Sequence, residues 1–218
     1  MTIGARPFAR PGGARPVRLP ATAPGMRVGL FGGSFNPPHD GHRLVAQQAL
    51  TSLKLDRLWW MVTPGNPLKN NSGLPPLTDR MAACRALMRD PRVVVTGFEA
   101  DIGTRYSFDT ISFLKQRCPG VEFVWIMGAD SLAGFHRWQN WRGIAAQVPL
   151  AVIDRPGATL RAAASKTAQV LANHRVDEGD AALLPSLTLP AWVFIYGPRS
   201  DLSSTELRRL SEGTVKSS

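Results

Sequence analysis

Residues 28–42 read VGLFGGSFNPPHDGH, and this stretch decides the fold class. The apolar run at 28–31 is typical of a buried strand, and the two glycines that follow it mark the end of that strand. Apolar side chains then recur at helical spacing between Gly41 and Leu53, which predicts a helix directly after the turn. A buried strand that passes through a glycine turn into a helix is the beginning of a βαβ unit.

The remainder of the chain repeats this alternation. We predict further strands at 58–62, 93–95, 121–127, 150–153 and 192–196, and further helices at 78–88 (capped by Thr78), 108–117, 160–173 and from residue 204. This order predicts an α/β fold, with a Rossmann-like parallel sheet and helices on both faces in a single domain. Ligands of such sheets bind at the carboxyl ends of the strands, so polar residues that directly follow strands are the functional candidates.

The charge of the chain is large and unevenly distributed. The 218 residues carry a formal net charge of +10, which indicates a polyanionic partner such as nucleic acid, a membrane surface or a phosphorylated substrate. Residues 1–25 supply four arginines with no acidic residue, together with five prolines and four glycines. We expect a disordered Arg/Pro-rich leader at 1–25, one domain at 26–211 and a disordered tail at 212–218.

The leader has two interpretations. It is a dispensable extension upstream of a true start at Met26, or an organelle-targeting peptide, which its five prolines disfavour.

Several classes of protein are excluded by simple counts. No apolar run approaches the roughly 18 residues of a transmembrane helix, and the N-terminus lacks the apolar core of a secretory signal. The two cysteines, Cys84 and Cys118, form no CxxC pair, so neither a disulfide framework nor a structural zinc site is supported. We therefore expect a reduced, cytoplasmic compartment.

The turn at 32–42 has the composition of a phosphate site. Glycines allow backbone N–H groups to approach a phosphate, and the N-terminus of the following helix adds a partial positive charge. His39 and His42 are three residues apart and can face the same anion. The alternative interpretation of His42 is a histidine packed in the core. The alternative interpretation of both histidines is a metal site that Asp40 completes. The segment contains neither the GxGxxG pattern nor the Gly-Lys-Ser/Thr of a P-loop.

A second polar segment, LSSTELR at 202–208, follows the last predicted strand. Ser203 and Glu206 match the S-x-x-E capping box, and a helix cap is the simpler interpretation. Three consecutive hydroxyl side chains followed by Arg208 also describe an anion site at a helix N-terminus.

Together, these two segments resemble a known family. GGSFNPPHDGH is similar to the (H/T)xGH signature of the nucleotidyltransferase superfamily, and LSSTELR is similar to its C-terminal ISSTxxR motif. GTRYSFDT at 103–110 and GADSL at 128–132 resemble the SYTxDT and GxDSL segments of nicotinate-nucleotide adenylyltransferases, and FHRW at 135–138 and DRPG at 154–157 follow at the expected places. The resemblance spans about residues 26–211.

The resemblance implies adenylyl transfer from ATP to nicotinate mononucleotide, giving deamido-NAD and pyrophosphate in NAD biosynthesis. It implies direct in-line attack without a covalent enzyme intermediate, His39 and His42 as the catalytic donors, and Mg²⁺ that arrives with ATP. The residues it assigns to ATP are Gly32, Gly33, Ser34, His39, His42, Gly128, Asp130, Arg155, Ser203, Ser204, Thr205 and Arg208. Those it assigns to the mononucleotide are Arg105, Tyr106, Ser107, Asp109, Trp138 and Lys69.

The chain departs from the family pattern at three places. Asn36 stands where the family often has aspartate, and Ser107 stands where threonine is usual. NPLK at 66–69 replaces a stretch that often reads Pro-Pro-His, so Lys69 is expected to supply the positive charge there. Core packing is the alternative for Trp138, and orientation of its helix is the alternative for Asp109.

The implied partners are two small-molecule substrates, without nucleic acid or membrane, and formation of a homo-oligomer is left open. The nearest alternative is an adenylyltransferase with another acceptor, such as nicotinamide mononucleotide or pantetheine phosphate. The alternative of another class is a nucleic-acid-binding protein, although residues 26–218 lack a basic stripe with interleaved aromatic residues. Class I tRNA synthetases share a HIGH-type motif, but this chain is too short for their added domains.

Overall fold

The computed structural model describes residues 17–65, 71–154 and 162–196. The strands in these ranges are β1 (Arg27–Gly33), β2 (Arg57–Val62), β3 (Val93–Thr96), β4 (Glu122–Gly128), β5 (Leu150–Ile153), β6 (Arg175–Val176) and β7 (Trp192–Ile195). The helices there are α1 (Asp40–Ser52), α2 (Leu77–Leu87), α3 (Phe98–Ile102), α4 (Ser107–Arg117), α5 (Ala129–Phe135), α6 (Trp141–Ala145) and α7 (Lys166–Val170). Two 3₁₀ helices cover Ala172–His174 and Glu178–Ser186.

The strands form one sheet in the order β3-β2-β1-β4-β5-β7-β6, and every neighbouring pair is parallel. The predicted α/β class with a parallel sheet is therefore confirmed. After β1, the strands β2 and β3 are added on one side of it. From β4 onward, the strands β5, β7 and β6 lie on the other side. The switch point lies between β1 and β4. In parallel sheets of this kind the crevice that binds ligands lies at the switch point, outside the carboxyl ends of the strands.

Helices cover both faces of the sheet. On one face α4, α5 and α6 pack against a cluster that includes Trp59 and Trp125. On the other face α1 and α2 pack against a cluster that includes Trp60 and Ile126. Trp59 and Trp60 are neighbours in β2 and point to opposite faces, and both are fully buried. Burial on both faces explains why the central strands appear in the sequence as continuous apolar runs.

Some helices differ from their sequence-based expectations. α2 begins at Leu77 after Pro76, so Thr78 lies inside the first turn and is not the cap. In the described part of the helix expected at 160–173, residues 162–163 are helical and residues 164–165 interrupt the helix. α7 then begins at Lys166, where the Ser165 side chain caps it by accepting from the N–H of Ala168. α3, α5 and α6 have five, seven and five residues, too few for a helical period to be visible in the sequence.

Residues 17–25 belong to the packed structure, although the sequence predicted disorder throughout 1–25. Val17 and Leu19 pack against the core cluster of Trp59 and Trp125. The N–H of Gly25 donates to the carbonyl of Gly120 at 2.7 Å. The prolines and the glycine of this segment oppose regular secondary structure, but two apolar side chains suffice to attach it to an existing apolar surface. The boundary predicted at residue 211 and the tail at 212–218 lie outside the described residues.

Among the residues described, no helix has both the length and the apolar character needed to span a bilayer.

Candidate active site

The first turn of α1 lies beside the switch point and carries both predicted histidines. His39 is the N-cap residue, and the two imidazole rings have centroids 3.8 Å apart with their planes inclined by 38°. The backbone N–H of His39 donates to Nδ1 of His42 at 3.2 Å. The structure therefore brings the two histidines together, as the motif predicted.

The hydrogen bond to Nδ1 determines the tautomer of His42. Because Nδ1 accepts a hydrogen bond, it carries no proton, and the proton of the neutral ring lies on Nε2. His42 thus has an N–H donor on the edge of its ring opposite the helix backbone. A phosphate oxygen accepts hydrogen bonds, so an N–H donor at a helix N-terminus is suited to bind it.

Aromatic rings hold His42 in place. The Phe35 ring contacts it edge to face with centroids 5.0 Å apart, and Phe31 and Trp60 lie 6.2 and 6.3 Å away. The side chain is half-buried, so the core-histidine alternative describes part of its environment. Packing on one side and a donor on the other are compatible, and the packing restricts the rotation of the donor.

Gly32 and Gly33 leave room for two packed aromatic rings. A Cβ on Gly33 would lie 3.1 Å from the Phe35 ring, and a Cβ on Gly32 would lie 3.3 Å from the Trp125 ring. Phe35 itself has a φ of +46°, a left-handed conformation that is strained for a residue with a Cβ. The turn therefore folds the Phe35 ring back onto the end of β1, and glycine leaves the space for it.

The metal-site alternative for the histidine turn has Asp40 as its third ligand. The Asp40 carboxylate is paired with Arg43 at 2.8 Å. Within the described ranges, no group of three or more His, Cys, Asp or Glu residues is arranged to hold a metal ion.

The turn after β4 lies on the other side of the switch point. Gly128 is the N-cap residue of α5, and Asp130 is exposed in its first turn. Trp138 is half-buried and packs edge to face on Trp125, with centroids 6.0 Å apart and planes at 86°. Because Trp125 also lies against Gly32, one ring connects Trp138 with the end of β1. Core packing thus accounts for part of the Trp138 surface, as the alternative foresaw.

The residues predicted for the mononucleotide from the segment at 103–110 lie together beyond the carboxyl end of β3. Arg105 and Tyr106 are exposed in the loop between α3 and α4, and Ser107 is the first residue of α4. Asp109 lies in the first turn of α4, where partial burial raises its pKa.

The sequence analysis missed Glu99, a buried carboxyl under this segment. The Thr110 hydroxyl donates to Oε1 of Glu99 at 2.9 Å and lies 3.0 Å from the Thr104 hydroxyl. Burial raises the pKa of Glu99 to about 6. Glu99 lies in the five-residue helix α3, where no periodic pattern marks it as internal, so only the nearby Thr-rich motif gave an indirect signal.

Arg80 of α2 was also missed, because an arginine on a helix suggests an exposed face. It is only 3% exposed, and its guanidinium reaches the turns after β1 and β2. Its one sequence signal is its place near the start of a helix that follows a loop rich in Pro, Gly and Asn.

Some predicted site residues lie outside the described residues. They are Lys69, Arg155, Ser203, Ser204, Thr205 and Arg208, and the capping box and C-terminal helix expected from 203 onward lie there too.

Comparison with known proteins identifies relatives that carry the same name. A family model described as Cytidylyltransferase-like matches residues 30–210. A protein of Agrobacterium fabrum is 60% identical over 183 residues, covering 84% of this chain and 98% of the relative. A protein of Mesorhizobium japonicum is 56% identical over 195 residues, covering 89% of this chain and 100% of the relative. Both are named "Probable nicotinate-nucleotide adenylyltransferase".

Solved structures share the fold at low sequence identity. Plasmodium falciparum nicotinic acid mononucleotide adenylyltransferase, complexed with APC, matches with a TM-score of 0.62 at 15% identity. The same protein complexed with NaAD matches with a TM-score of 0.62 at 16% identity. In each case the match covers 84% of this chain and 83% of the other.

Proposed function

Since the chain belongs to the nicotinate-nucleotide adenylyltransferase family, a family of nucleotidyltransferases of NAD biosynthesis, we propose that it transfers the adenylyl group of ATP to nicotinate mononucleotide. The phosphate of the mononucleotide attacks the α-phosphorus of ATP in line, the bond to the β-phosphate breaks, and deamido-NAD and pyrophosphate are released. The observation that carries this proposal is the pair of adjacent imidazoles in the first turn of α1, beside the switch point of a parallel sheet.

The reaction needs no protein nucleophile and little general base catalysis, because the attacking phosphate is already ionised at neutral pH. Catalysis then comes from positioning and from donors aimed at the charge that develops on the transferring group and on the pyrophosphate. We assign the Nε2–H of His42, together with His39, to the phosphate oxygens of ATP. The N-terminus of the 13-residue helix α1 adds its partial positive charge at the same place.

The other groups that we assign to ATP come from the turn before α1 and from three further segments. Gly128 and Asp130 would contact the adenosine, and Gly32, Gly33 and Ser34 would offer backbone and hydroxyl donors. Arg155, Ser203, Ser204, Thr205 and Arg208 are assigned on the motifs alone, as donors to ATP and its outer phosphates. ATP enters as its magnesium complex, with Mg²⁺ held largely by phosphate oxygens and water.

We assign the mononucleotide to the other half of the crevice. The half-buried ring of Trp138 would stack on the pyridine, an arrangement that its edge-to-face packing on Trp125 supports by holding its plane. Arg105, Tyr106 and Ser107 would receive the nicotinate carboxylate, with Asp109 orienting the start of α4. Lys69 would add positive charge from the loop after β2.

We place the reaction in the cytoplasm, because both cysteines are free and buried and therefore fit a reduced compartment.

Pyrophosphate release tests the proposed reaction and separates the acceptors. The purified protein is assayed with ATP and equal concentrations of nicotinate mononucleotide, nicotinamide mononucleotide or pantetheine phosphate. We expect the highest kcat/KM with nicotinate mononucleotide, and deamido-NAD as the product by mass spectrometry. Faster release with either other acceptor would change the substrate assignment, and release no faster than with ATP alone would overturn the proposed reaction.

A further inference from the structure

Arg80 is a buried cation whose hydrogen bonds all go to backbone carbonyls. It lies near the start of α2 and is 3% exposed. Its Nε donates to the carbonyl of Pro75 at 2.9 Å, and Nη1 donates to the carbonyls of Ser34 and Thr63, both at 2.8 Å. Nη2 lies 3.5 Å from the carbonyl of Pro64. The guanidinium therefore joins three separate parts of the backbone.

No carboxylate in the described part of the chain pairs with this guanidinium. The ion pairs there are Arg27–Glu122, Arg43–Asp40 and Arg92–Asp90. The ionisable group that acts most on Arg80 is the thiol of Cys84, whose pKa burial raises to about 12, so this neighbour is neutral at physiological pH. A buried charge without a counter-charge is costly for folding, and hydrogen bonds to backbone carbonyls offset that cost here. The guanidinium is therefore tied to particular carbonyls and not to a charged partner.

The carbonyls that Arg80 binds belong to the turns after β1 and β2. Ser34 opens the turn that leads to His39 and His42, and Thr63 directly follows β2. Because a peptide group is planar and trans, holding the Ser34 carbonyl also directs the N–H of Phe35 to the opposite side. Phe35 occupies a left-handed conformation, with φ +46°, that is strained for a residue with a Cβ. This turn needs contacts from outside itself to keep its shape.

We propose that Arg80 is a positioning residue for adenylyl transfer, whose planar guanidinium holds the histidine turn of β1 against the end of β2. The proposal rests on the proposed function for its kinetic readout. The geometry depends on the fork of N–H groups, since Nη1 and Nε point to carbonyls in different directions. A lysine has one nitrogen and keeps only the charge, so it does not reproduce this arrangement.

The test compares Arg80→Lys and Arg80→Gln with Arg85→Gln as a matched control. Arg85 lies on the same helix, but it is exposed and reaches only the Val95 carbonyl, at 3.4 Å. Circular dichroism and urea unfolding establish the folded fraction, and pyrophosphate release gives kcat and both KM values. We expect both Arg80 variants to fold with lower stability and to lose about 10- to 100-fold in kcat at full occupancy, as misplaced catalytic groups do. Arg85→Gln is expected to keep the wild-type values.

Chemical rescue of kcat distinguishes a positioning role of Arg80 from a purely structural role. We expect methylguanidinium to restore part of the kcat of folded Arg80→Ala in a saturable manner, whereas methylammonium at equal concentration does not. The proposal is overturned if folded Arg80→Lys has kcat and KM within about twofold of wild type. It is also overturned if activity falls only in proportion to the unfolded fraction, or if neither Arg80→Lys nor Arg80→Gln folds.

A failure of the proposed function is recognised separately, because the wild-type protein would then release no pyrophosphate. In that case the affinity for a non-hydrolysable ATP analogue, measured by calorimetry, replaces the kinetic readout. The proposal then expects the Kd of folded Arg80→Lys to be at least about tenfold higher than that of wild type, since the histidine turn would be displaced. Equal Kd values would overturn it.

Discussion

His42 uses its two ring nitrogens for two different tasks. Nδ1 accepts the N–H of His39 and so closes the first turn of α1, and this leaves the proton of the neutral ring on Nε2. A motif can place a histidine at this position, but the state of its proton follows from the folded turn. At the scale of single residues, therefore, the chemistry assigned to the motif depends on a backbone hydrogen bond.

Replacing His42 separates these two tasks. We expect His42→Ala to fold, to lose about 1 kcal/mol of stability with the cap, and to lose about 10²–10³ in kcat with the donor. His42→Asn keeps an acceptor near the position of Nδ1, so its stability is expected to stay close to that of wild type while its kcat falls as in His42→Ala. Urea unfolding and pyrophosphate release measure the two effects, with His174→Ala, an exposed histidine, as the control. Near-normal kcat in folded His42→Asn would remove the donor role.

Substitution of Trp138 tests whether this side chain binds the mononucleotide. Because this ring packs on Trp125 and Phe135, we expect Trp138→Ala to lower stability and also to raise the KM for nicotinate mononucleotide, with the KM for ATP little changed. Trp138→Phe keeps an aromatic face and should have the smaller effect on KM. Steady-state kinetics, with each substrate varied in turn, measure the two KM values. A mononucleotide KM equal to that of wild type in Trp138→Ala would leave the residue only a packing role.

At the scale of elements, β1 is the strand that places the site. It lies between β2 and β4, and the helix that follows it begins with the histidine turn. Its apolar run and glycines predicted the strand, and the apolar side chains at helical spacing between Gly41 and Leu53 predicted the helix. The glycine inside the strand, Gly29, has a reason that only the packing shows: a Cβ there would lie 2.5 Å from Ile126 and 2.7 Å from Leu55.

Substitution of Gly29 should therefore overpack the core. We expect Gly29→Ala to destabilise the protein by about 1–3 kcal/mol, because both neighbouring side chains are buried and have little room to move. Gly179→Ala is the matched control, since nothing lies within 4 Å of its added Cβ, and it is expected to be neutral or slightly stabilising. Urea unfolding of the two variants measures the difference. Equal stability of Gly29→Ala and wild type would contradict the close packing.

The short helix α3 contains the buried carboxyl of Glu99. Its pKa is raised from 4.5 to about 6 in the folded protein, so between these values the folded state retains a proton that the unfolded chain has lost. The contribution of Glu99 to the free energy of unfolding should therefore fall as pH rises through this window, by about 2 kcal/mol in total.

Glu99→Gln isolates this contribution. The amide keeps an oxygen that can accept from Thr110 and does not titrate. We expect the difference in unfolding free energy between Glu99→Gln and wild type to shift in favour of the variant as pH rises from about 4.5 to about 6, and then to level off. Urea unfolding at several pH values measures it. A difference that is independent of pH would show that Glu99 titrates as an ordinary glutamate.

At the scale of the whole molecule, the order of the strands brings the site together. β1 and β4 are adjacent, although about 90 residues of chain separate them, and the turns that follow them lie on the two sides of the switch point. The residues at 17–25 also take part in this assembly through Val17, Leu19 and Gly25.

Two truncated chains test the contribution of residues 17–25. We expect the chain that begins at residue 26 to be less stable than the chain that begins at residue 17, by about 1–2 kcal/mol, because the partly buried Val17 and Leu19 lose their packing. Urea unfolding of both chains measures the difference. Identical unfolding curves would return residues 17–25 to the dispensable leader that the composition predicted.

Much of this protein is determined by the sequence alone. Local patterns predicted the alternating strands and helices, the parallel sheet and, through the paired motifs, the family; the structure and the relatives confirm these. The assignments of individual site residues remain predictions, and those of Lys69, Arg155 and the 203–208 segment rest on motifs only. The tertiary structure decided the properties that depend on contacts between distant segments. The burial of Arg80 and Glu99, the packing of Trp138 on Trp125 and the attachment of residues 17–25 all arise in this way, because the partners of these groups are not their neighbours in a periodic pattern. The tautomer of His42 follows from the local geometry of the first turn of α1, which the sequence pattern does not specify.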